Sequence, residues 1–177
     1  MPNNLNRVGT VYLPTGNPDT VNYDPNYAPG ELGTWYSWQQ KRYQIVQLDS
    51  GAVALNPSST VSPNTLAFWL NREQYIVTND RRSAVGGAAA AQVQVAGRFG
   101  TFVTPGFTCH VQQRGRATLR TQSAAFVGGD SVIAMNDSSA IADRVAMATP
   151  TPFTIGIARG PAVLGLVTVD LDIPSIE

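Results

Sequence analysis

The sequence predicts an all-β fold, a small β-barrel or β-sandwich, on three observations. Apolar and polar residues alternate over short stretches, the period of a half-buried strand: Gln92 to Val95, Phe107 to Gln112, Arg116 to Thr121 and Leu164 to Ile173. Turn residues separate such stretches at regular spacing, as expected for a sandwich or barrel: Asp49-Ser50-Gly51, Pro105-Gly106, Gly128-Gly129-Asp130 and Gly160-Pro161. Prolines at Thr149-Pro150-Thr151-Pro152 exclude helix from one of the longer intervals.

Residues 1–34 read as an extended N-terminal arm and residues 35–177 as a single all-β domain. The arm carries Pro2, Pro14, Pro18, Pro25 and Pro29 and shows neither period beyond Arg7 to Leu13. Proline keeps such a segment extended and lowers the entropy lost on docking. Tyr12, Tyr23 and Tyr27 supply amphipathic anchors of the kind enriched at interfaces. Two readings follow, a disordered terminus or an arm that orders against a neighbouring subunit.

From Trp35 the pattern changes. Trp35, Tyr36 and Trp38 precede Tyr43 and Ile45, with Val46 and Leu48 on the opposite parity. The aromatic cluster reads as the floor of the core, with a sugar-stacking platform as the functional rival. Pro57, Pro63 and several serines mark 56–64 as a loop. Leu66 to Val77 fits a helical face through Leu66, Trp69 and Leu70. Its Phe68, Trp69, Tyr75, Ile76 and Val77 favour strand, so two short strands with a turn near Asn71-Arg72-Glu73 are expected. The alanine-rich stretch from Asn79 to Ala91 reads as a loop. Pro105 then Gly106 suit the central positions of a type II turn, which splays a tight hairpin, so the flanking strands need not be neighbours. Beyond it, Ser131 to Met135 and Ile155 to Ala158 read as strands, and Ile141 to Met147 as a strand or one helical turn. In the closing run Val167, Val169, Leu171 and Ile173 face one way, Thr168, Asp170 and Asp172 the other.

Twelve Lys and Arg balance twelve Asp and Glu, and charged residues are 14% of the chain. An average soluble domain carries roughly 25%. Zero net charge argues against nucleic acid or an anionic membrane as partner. Low charge fits a packed assembly subunit, or simply a neutral globular protein. No run approaches the roughly 18 apolar residues of a membrane helix, and no signal peptide is visible. The expectation is a soluble protein made in a reducing compartment.

Candidates for chemistry are few. Cys109 is the single cysteine, which rules out an internal disulfide and points to a small core residue. His110 is the single histidine, and as a strand neighbour of Cys109 it points to the other face, so a Cys-His dyad is disfavoured. It reads as a surface or interface histidine. Asp170 and Asp172 share a face; an acid–base pair or calcium ligation competes with plain solvated aspartates. One lysine, Lys41, and no phosphate-loop pattern leave no nucleotide site. No cofactor, metal or small-molecule substrate is expected. Arg114, Arg116 and Arg120, with Thr118, share a parity. If the strand runs through Gly115 they form a row of guanidinium groups suited to bidentate pairing with interface carboxylates.

One block carries a resemblance. It comprises Ala67-Phe68-Trp69-Leu70-Asn71-Arg72-Glu73-Gln74-Tyr75-Ile76-Val77-Thr78, Ala96-Gly97-Arg98-Phe99, Val103-Thr104-Pro105-Gly106-Phe107-Thr108-Cys109-His110-Val111-Gln112-Gln113-Arg114-Gly115 and Gly129-Asp130. This block resembles head decoration or capsid cement proteins of tailed bacteriophages, in which a small β-tulip-like domain carries an Ala-Gly element, a Thr-x-Gly turn and a Val-Gln-x-Gly strand. The resemblance covers about residues 66–135. It implies a non-enzymatic virion protein on the outer surface of the capsid, commonly a homotrimer at three-fold positions. Its partner would be the major capsid protein, whose shell it clamps. The alternative from the residues alone is a carbohydrate-binding β-sandwich of a phage tail or adhesion device, built on Trp35, Tyr36 and Trp38.

Overall fold

The computed structural model describes residues 22–23, 32–52, 60–84, 94–134, 142–145 and 154–173. Tyr12, Tyr27, most of the N-terminal arm, the alanine-rich stretch from 85 on and the segments around 136–139 and 149–152 lie outside the described residues. Within them the chain is all-β. The strands are β1 (Asn22–Tyr23), β2 (Trp35–Trp38), β3 (Lys41–Leu48), β4 (Leu66–Asn71), β5 (Ile76–Thr78), β6 (Val95–Phe99), β7 (Thr108–Arg120), β8 (Ser131–Ala134), β9 (Ala142–Val145), β10 (Gly156–Ala158) and β11 (Leu166–Asp172). A 3-10 turn at Arg81–Ser83 is the one helical element among the described residues.

Five strands close on themselves. β3 pairs β5 in parallel; β5 then pairs β4, β4 pairs β6, β6 pairs β7 and β7 returns to β3, all antiparallel. Closure removes the open edges that a small sheet must otherwise protect. The barrel is filled by buried apolar side chains that include Val46, Leu48, Trp69, Ala96, Cys109 and Val111. Towards one end the filling turns polar: Gln113 Nε2 donates to Gln44 Oε1 at 2.7 Å and to the Ala96 carbonyl at 3.3 Å. Gly97 lets β6 approach β7, because a Cβ there would lie 2.7 Å from Val111 Cβ.

β7 is 13 residues long and belongs to two assemblies. Its first half is barrel wall. Its second half pairs β11 from Arg114 opposite Asp172 to Arg120 opposite Leu166. β10, β8 and β9 follow antiparallel beyond β11. The inner side of this second sheet supplies Ala117, Leu119, Val132, Val167, Val169 and Leu171 to a core completed by Leu66, Phe68 and Val95 from the outside of the barrel. The second sheet therefore lies over the β4–β6 wall. Arg98 ties the two together. Its guanidinium donates to the Thr118 carbonyl at 3.2 Å, to Gln112 Oε1 at 3.2 Å and to Asn64 Oδ1 at 3.1 Å.

Several expectations from sequence hold. The segment 66–78 is two strands, β4 and β5, joined by a turn at 72–75. The Phe107 N–H donates to the Thr104 carbonyl at 3.0 Å and Gly106 has φ of 85°, which makes the Pro105-Gly106 corner a type II turn. The ambiguous run after 140 is strand β9. One point left open is decided and one expectation fails. β6 and β7 are direct partners at Arg98–Gln112 and Phe99–Val111, because the connection between them is a wide loop and the corner is only part of it. The side of β7 bearing Thr108, His110 and Gln112 is buried, and His110 is 3% exposed, not a surface histidine. A barrel wall with a packed interior behind it is covered in front as well. Tyr43 and Ile45 of β3, the latter opposite His110, are buried on that outer side with Leu32 and Trp38 against them.

Candidate interaction surface

The outer side of the second sheet carries exposed side chains from three strands: Arg114, Arg116 and Arg120 of β7, Ile157 of β10, and Thr168 and Asp172 of β11. β7 does run through Gly115, where φ is 90° and a Cβ would come within 2.6 Å of the Gln40 carbonyl oxygen. Only glycine meets both conditions. The strand's continuity brings Arg114, Arg116 and Arg120 onto the sheet, all exposed. Their register partners on β11 are Asp172, Asp170 and Leu166.

The two aspartates are therefore interleaved with cations. Arg114 Nε lies 2.7 Å from Asp172 Oδ1, and Arg159 Nη2 pairs with Asp170 Oδ2. Bonding to Asp170 and its negative charge push the Arg159 guanidinium pKa further up. The Arg114–Asp172 side chains are 56% and 70% exposed, so solvent screens the pair and its worth is about 0–1 kcal/mol. Both carboxylates are thus engaged by guanidinium groups and are not arranged as an acid–base pair. No group of three or more metal-ligating side chains occurs among the described residues. Arg116 and Arg120 form no ion pair with any described residue. Of these six charged groups, four are paired with one another, and Arg116 and Arg120 have no ion pair among the described residues.

Beside the charged rows, β10 and the turn before β8 border an open cleft of about 790 Å³. Gly128, Gly129 and Gly156 line it together with Ile157, Asp170 and Asp172. Gly156 is required there, since a Cβ would stand 2.4 Å from the Asp170 carbonyl oxygen. Ile157 is 43% exposed at the cleft.

At the opposite end of β11 the chain enters through a two-residue hairpin. Val163 and Leu166 exchange both backbone hydrogen bonds, 2.8 and 3.0 Å, around Leu164 and Gly165. Positive φ at both, 52° and 73°, makes this a type I′ turn. Val163 is 63% and Leu164 96% exposed. Sequence reasoning placed Leu164 inside the closing strand, whereas the strand begins at Leu166. The X-Gly pair between two apolar residues was the available signal.

The other predicted sites separate from this face. Tyr23 lies in β1, opposite Thr108 of the same chain's barrel. Trp35 and Trp38 are half-buried, and Trp38 packs against the small buried cluster of Tyr43 and Ile45. The Arg42 guanidinium sits 3.6 Å from the centre of the Trp35 ring, occupying one face a sugar would need. Cys109 is fully buried in the barrel, where burial pushes its thiol pKa far up, and His110 lies on the other side of the wall.

Comparison of the chain with family models, with curated proteins and with solved structures finds no match.

Proposed function

We propose that this chain is a non-enzymatic structural protein of a tailed-phage virion, made in the host cytoplasm, that decorates and cements the outer surface of the capsid as a trimer at three-fold positions. The observation that carries the reading is the outer face of the second sheet. It presents Arg116 and Arg120, which form no ion pair with any described residue, on a surface backed by a packed core. Guanidinium groups held on a sheet suit bidentate pairing with carboxylates of a protein partner, here the major capsid protein. Such binding stabilises a shell by mass action, because the protein engages the assembled lattice and not its free subunits. The Arg42 guanidinium stacked on one face of Trp35 weighs against the carbohydrate-binding alternative.

The test is co-sedimentation with purified shells built from tailed-phage major capsid proteins. Saturable binding is expected, and reversing both charges (Arg116→Glu with Arg120→Glu) should weaken it at least tenfold while the fold is unchanged. Absence of binding to any such shell refutes the proposal. Retention on a glycan array without shell binding would replace it with the alternative.

A further inference from the structure

We infer that Arg159 is a positioning residue for the docking face: by holding Asp170 it keeps the Arg116 guanidinium open to a carboxylate of an acidic protein partner. This deepens the reading above by naming what keeps its surface competent, and it rests on that reading only for the partner being a capsid shell.

Two rungs of the β7–β11 ladder carry the same pair of residue types. Arg114 stands opposite Asp172, and Arg116 stands opposite Asp170. The rungs are two residues apart on each strand, so they are of the same kind and bring their side chains together on the outer face at like separation. An arginine facing an aspartate across such a rung is within reach of an ion pair. The first rung makes one, Arg114 Nε to Asp172 Oδ1 at 2.7 Å. The second does not. Asp170 Oδ2 is taken by Arg159 Nη2, and Arg116 has no ion pair with any described residue.

Arg159 reaches Asp170 because of where β10 ends. Ala158 lies opposite Val169, and one residue on the Arg159 N–H donates to the Thr168 carbonyl at 2.8 Å. This sets Arg159 diagonal to Asp170, on the side of β11 away from β7. A diagonal neighbour is roughly 7–8 Å off, which a long side chain spans. The short aspartate side chain that leans towards β10 leans away from β7, and Arg116 is left exposed.

Arg120 needs no such arrangement, since its ladder partner is Leu166, which cannot pair with it. Both arginines are thus spared by what β11 and its neighbour present to them, one by an apolar residue and the other by a diverted carboxylate. From Arg116 to Arg120 the strand takes four steps, roughly 13 Å. Thr118 lies between them, opposite Thr168. The partner that answers both guanidinium groups presents two carboxylates about that far apart, with room for the hydroxyls between.

The experiment reads the Arg116 Nε–H resonance in nitrogen-15-labelled protein, assigned by its loss in Arg116→Gln. Arg114, whose Nε donates to Asp172, is the reference for a paired guanidinium. In the wild type the Arg116 Nε–H should exchange with water several-fold faster than that of Arg114, and in Arg159→Gln the two rates should converge. Affinity for poly-L-glutamate, and separately for shells, should fall about threefold in Arg159→Gln, the scale of one exposed ion pair. Adding Asp170→Asn should restore fast exchange and affinity, because no carboxylate is then left to close on Arg116. Adding Glu73→Gln instead, at an exposed residue of the β4–β5 turn, gives the same net charge and should restore neither. An Arg116 exchange rate unchanged by Arg159→Gln, no rescue by Asp170→Asn, or an equal rescue by Glu73→Gln overturns the inference, the last by showing that net charge alone matters. Shells that bind nothing, with exchange and poly-L-glutamate binding as expected, would remove the capsid reading and support the inference.

Discussion

Replacing Arg98 by leucine should destabilise the protein by about 3 kcal/mol, and the size follows from two opposed quantities. Arg98 is 7% exposed and its guanidinium reaches Thr118, Gln112 and Asn64. Hydrogen bonds from a charged donor contribute about 1.5–3 kcal/mol each, so three give an upper figure near 4.5–9 kcal/mol. Against this, removing a buried charge recovers a desolvation cost of several kcal/mol. What remains is dominated by acceptors left without their donor. The Asn64 amide oxygen can rotate, but the Thr118 carbonyl is fixed in β7, and Gln112 is fully buried with its Nε2 held by the Arg114, Gly115 and Arg116 carbonyls. Leucine also fills only part of the space. Urea unfolding followed by tryptophan fluorescence reads this directly, with Trp35, Trp38 and Trp69 as probes. At about 2 kcal/mol per molar urea the midpoint should fall by roughly 1.5 M. Arg98→Lys should recover less than half of the loss, because an ammonium on a flexible stem cannot span three acceptors. An Arg98→Leu midpoint within about 0.25 M of the wild type would refute the claim that this side chain ties the barrel to the second sheet.

Gly97→Ala should cost about 2 kcal/mol by the same assay, since the added Cβ would meet Val111 Cβ at 2.7 Å and the Gln112 carbonyl oxygen at 2.9 Å, both on a fixed strand. Leu119→Ala should cost about 3 kcal/mol in the core between barrel and second sheet, whereas Leu164→Ala should cost almost nothing, one leucine being fully buried and the other 96% exposed. The Cys109 thiol has a raised folded-state pKa, so the unfolded chain releases its proton first as pH rises above about 8.5 and stability falls by up to about 1.4 kcal/mol per pH unit there. Cys109→Ala should be less stable at pH 7 yet lose that part of the slope, and urea midpoints between pH 7 and 10 decide it. In the folded protein Cys109 should resist iodoacetamide until denaturant is added, because it is 0% exposed.

How much of this was legible in the sequence depends on what each feature requires. β4 and β5, the Pro105-Gly106 corner and the facing of β11 are local matters of parity and turn chemistry, and the residues state them. Burial on both sides of a strand is not local. Thr108, His110 and Gln112 look solvent-facing from alternation, and only closure of β3 through β7 into a barrel shows that their side is covered too. The β2–β3 hairpin was invisible for a related reason: its turn places Gln39 and Gln40 at φ of 47° and 63° without any glycine. The arginine row could be seen in advance because it needs one strand's parity. Its pairing with Asp170 and Asp172 could not, because that needs the register of a strand some 50 residues later. The Leu164 tip was missed because its hydrophobicity matched the strand that follows it.

The division of labour along β7 bears on what the outer face can do. A surface that must hold two partners together gains most when little of it has to be ordered on binding, since each immobilised side chain or loop costs about 0.5–1.5 kcal/mol. Here the face is set before any encounter. Its strands are backed by fully buried Leu119, Val167 and Val169, its first strand, β7, is continuous with a closed barrel, and Arg98 bonds to the Thr118 carbonyl from behind. Arg114 is already held by Asp172 of β11 and Asp170 by Arg159 just past β10, so Arg116 and Arg120 stand in a fixed frame. Preorganisation of that kind makes affinity sensitive to the frame as well as to the exposed charges. Arg98→Leu, which touches no outer side chain, should therefore weaken docking measured under conditions where the variant is still folded. If it leaves docking unchanged while Arg116→Glu and Arg120→Glu abolish it, the face works through charge alone and the rigidity of β7 is incidental to binding.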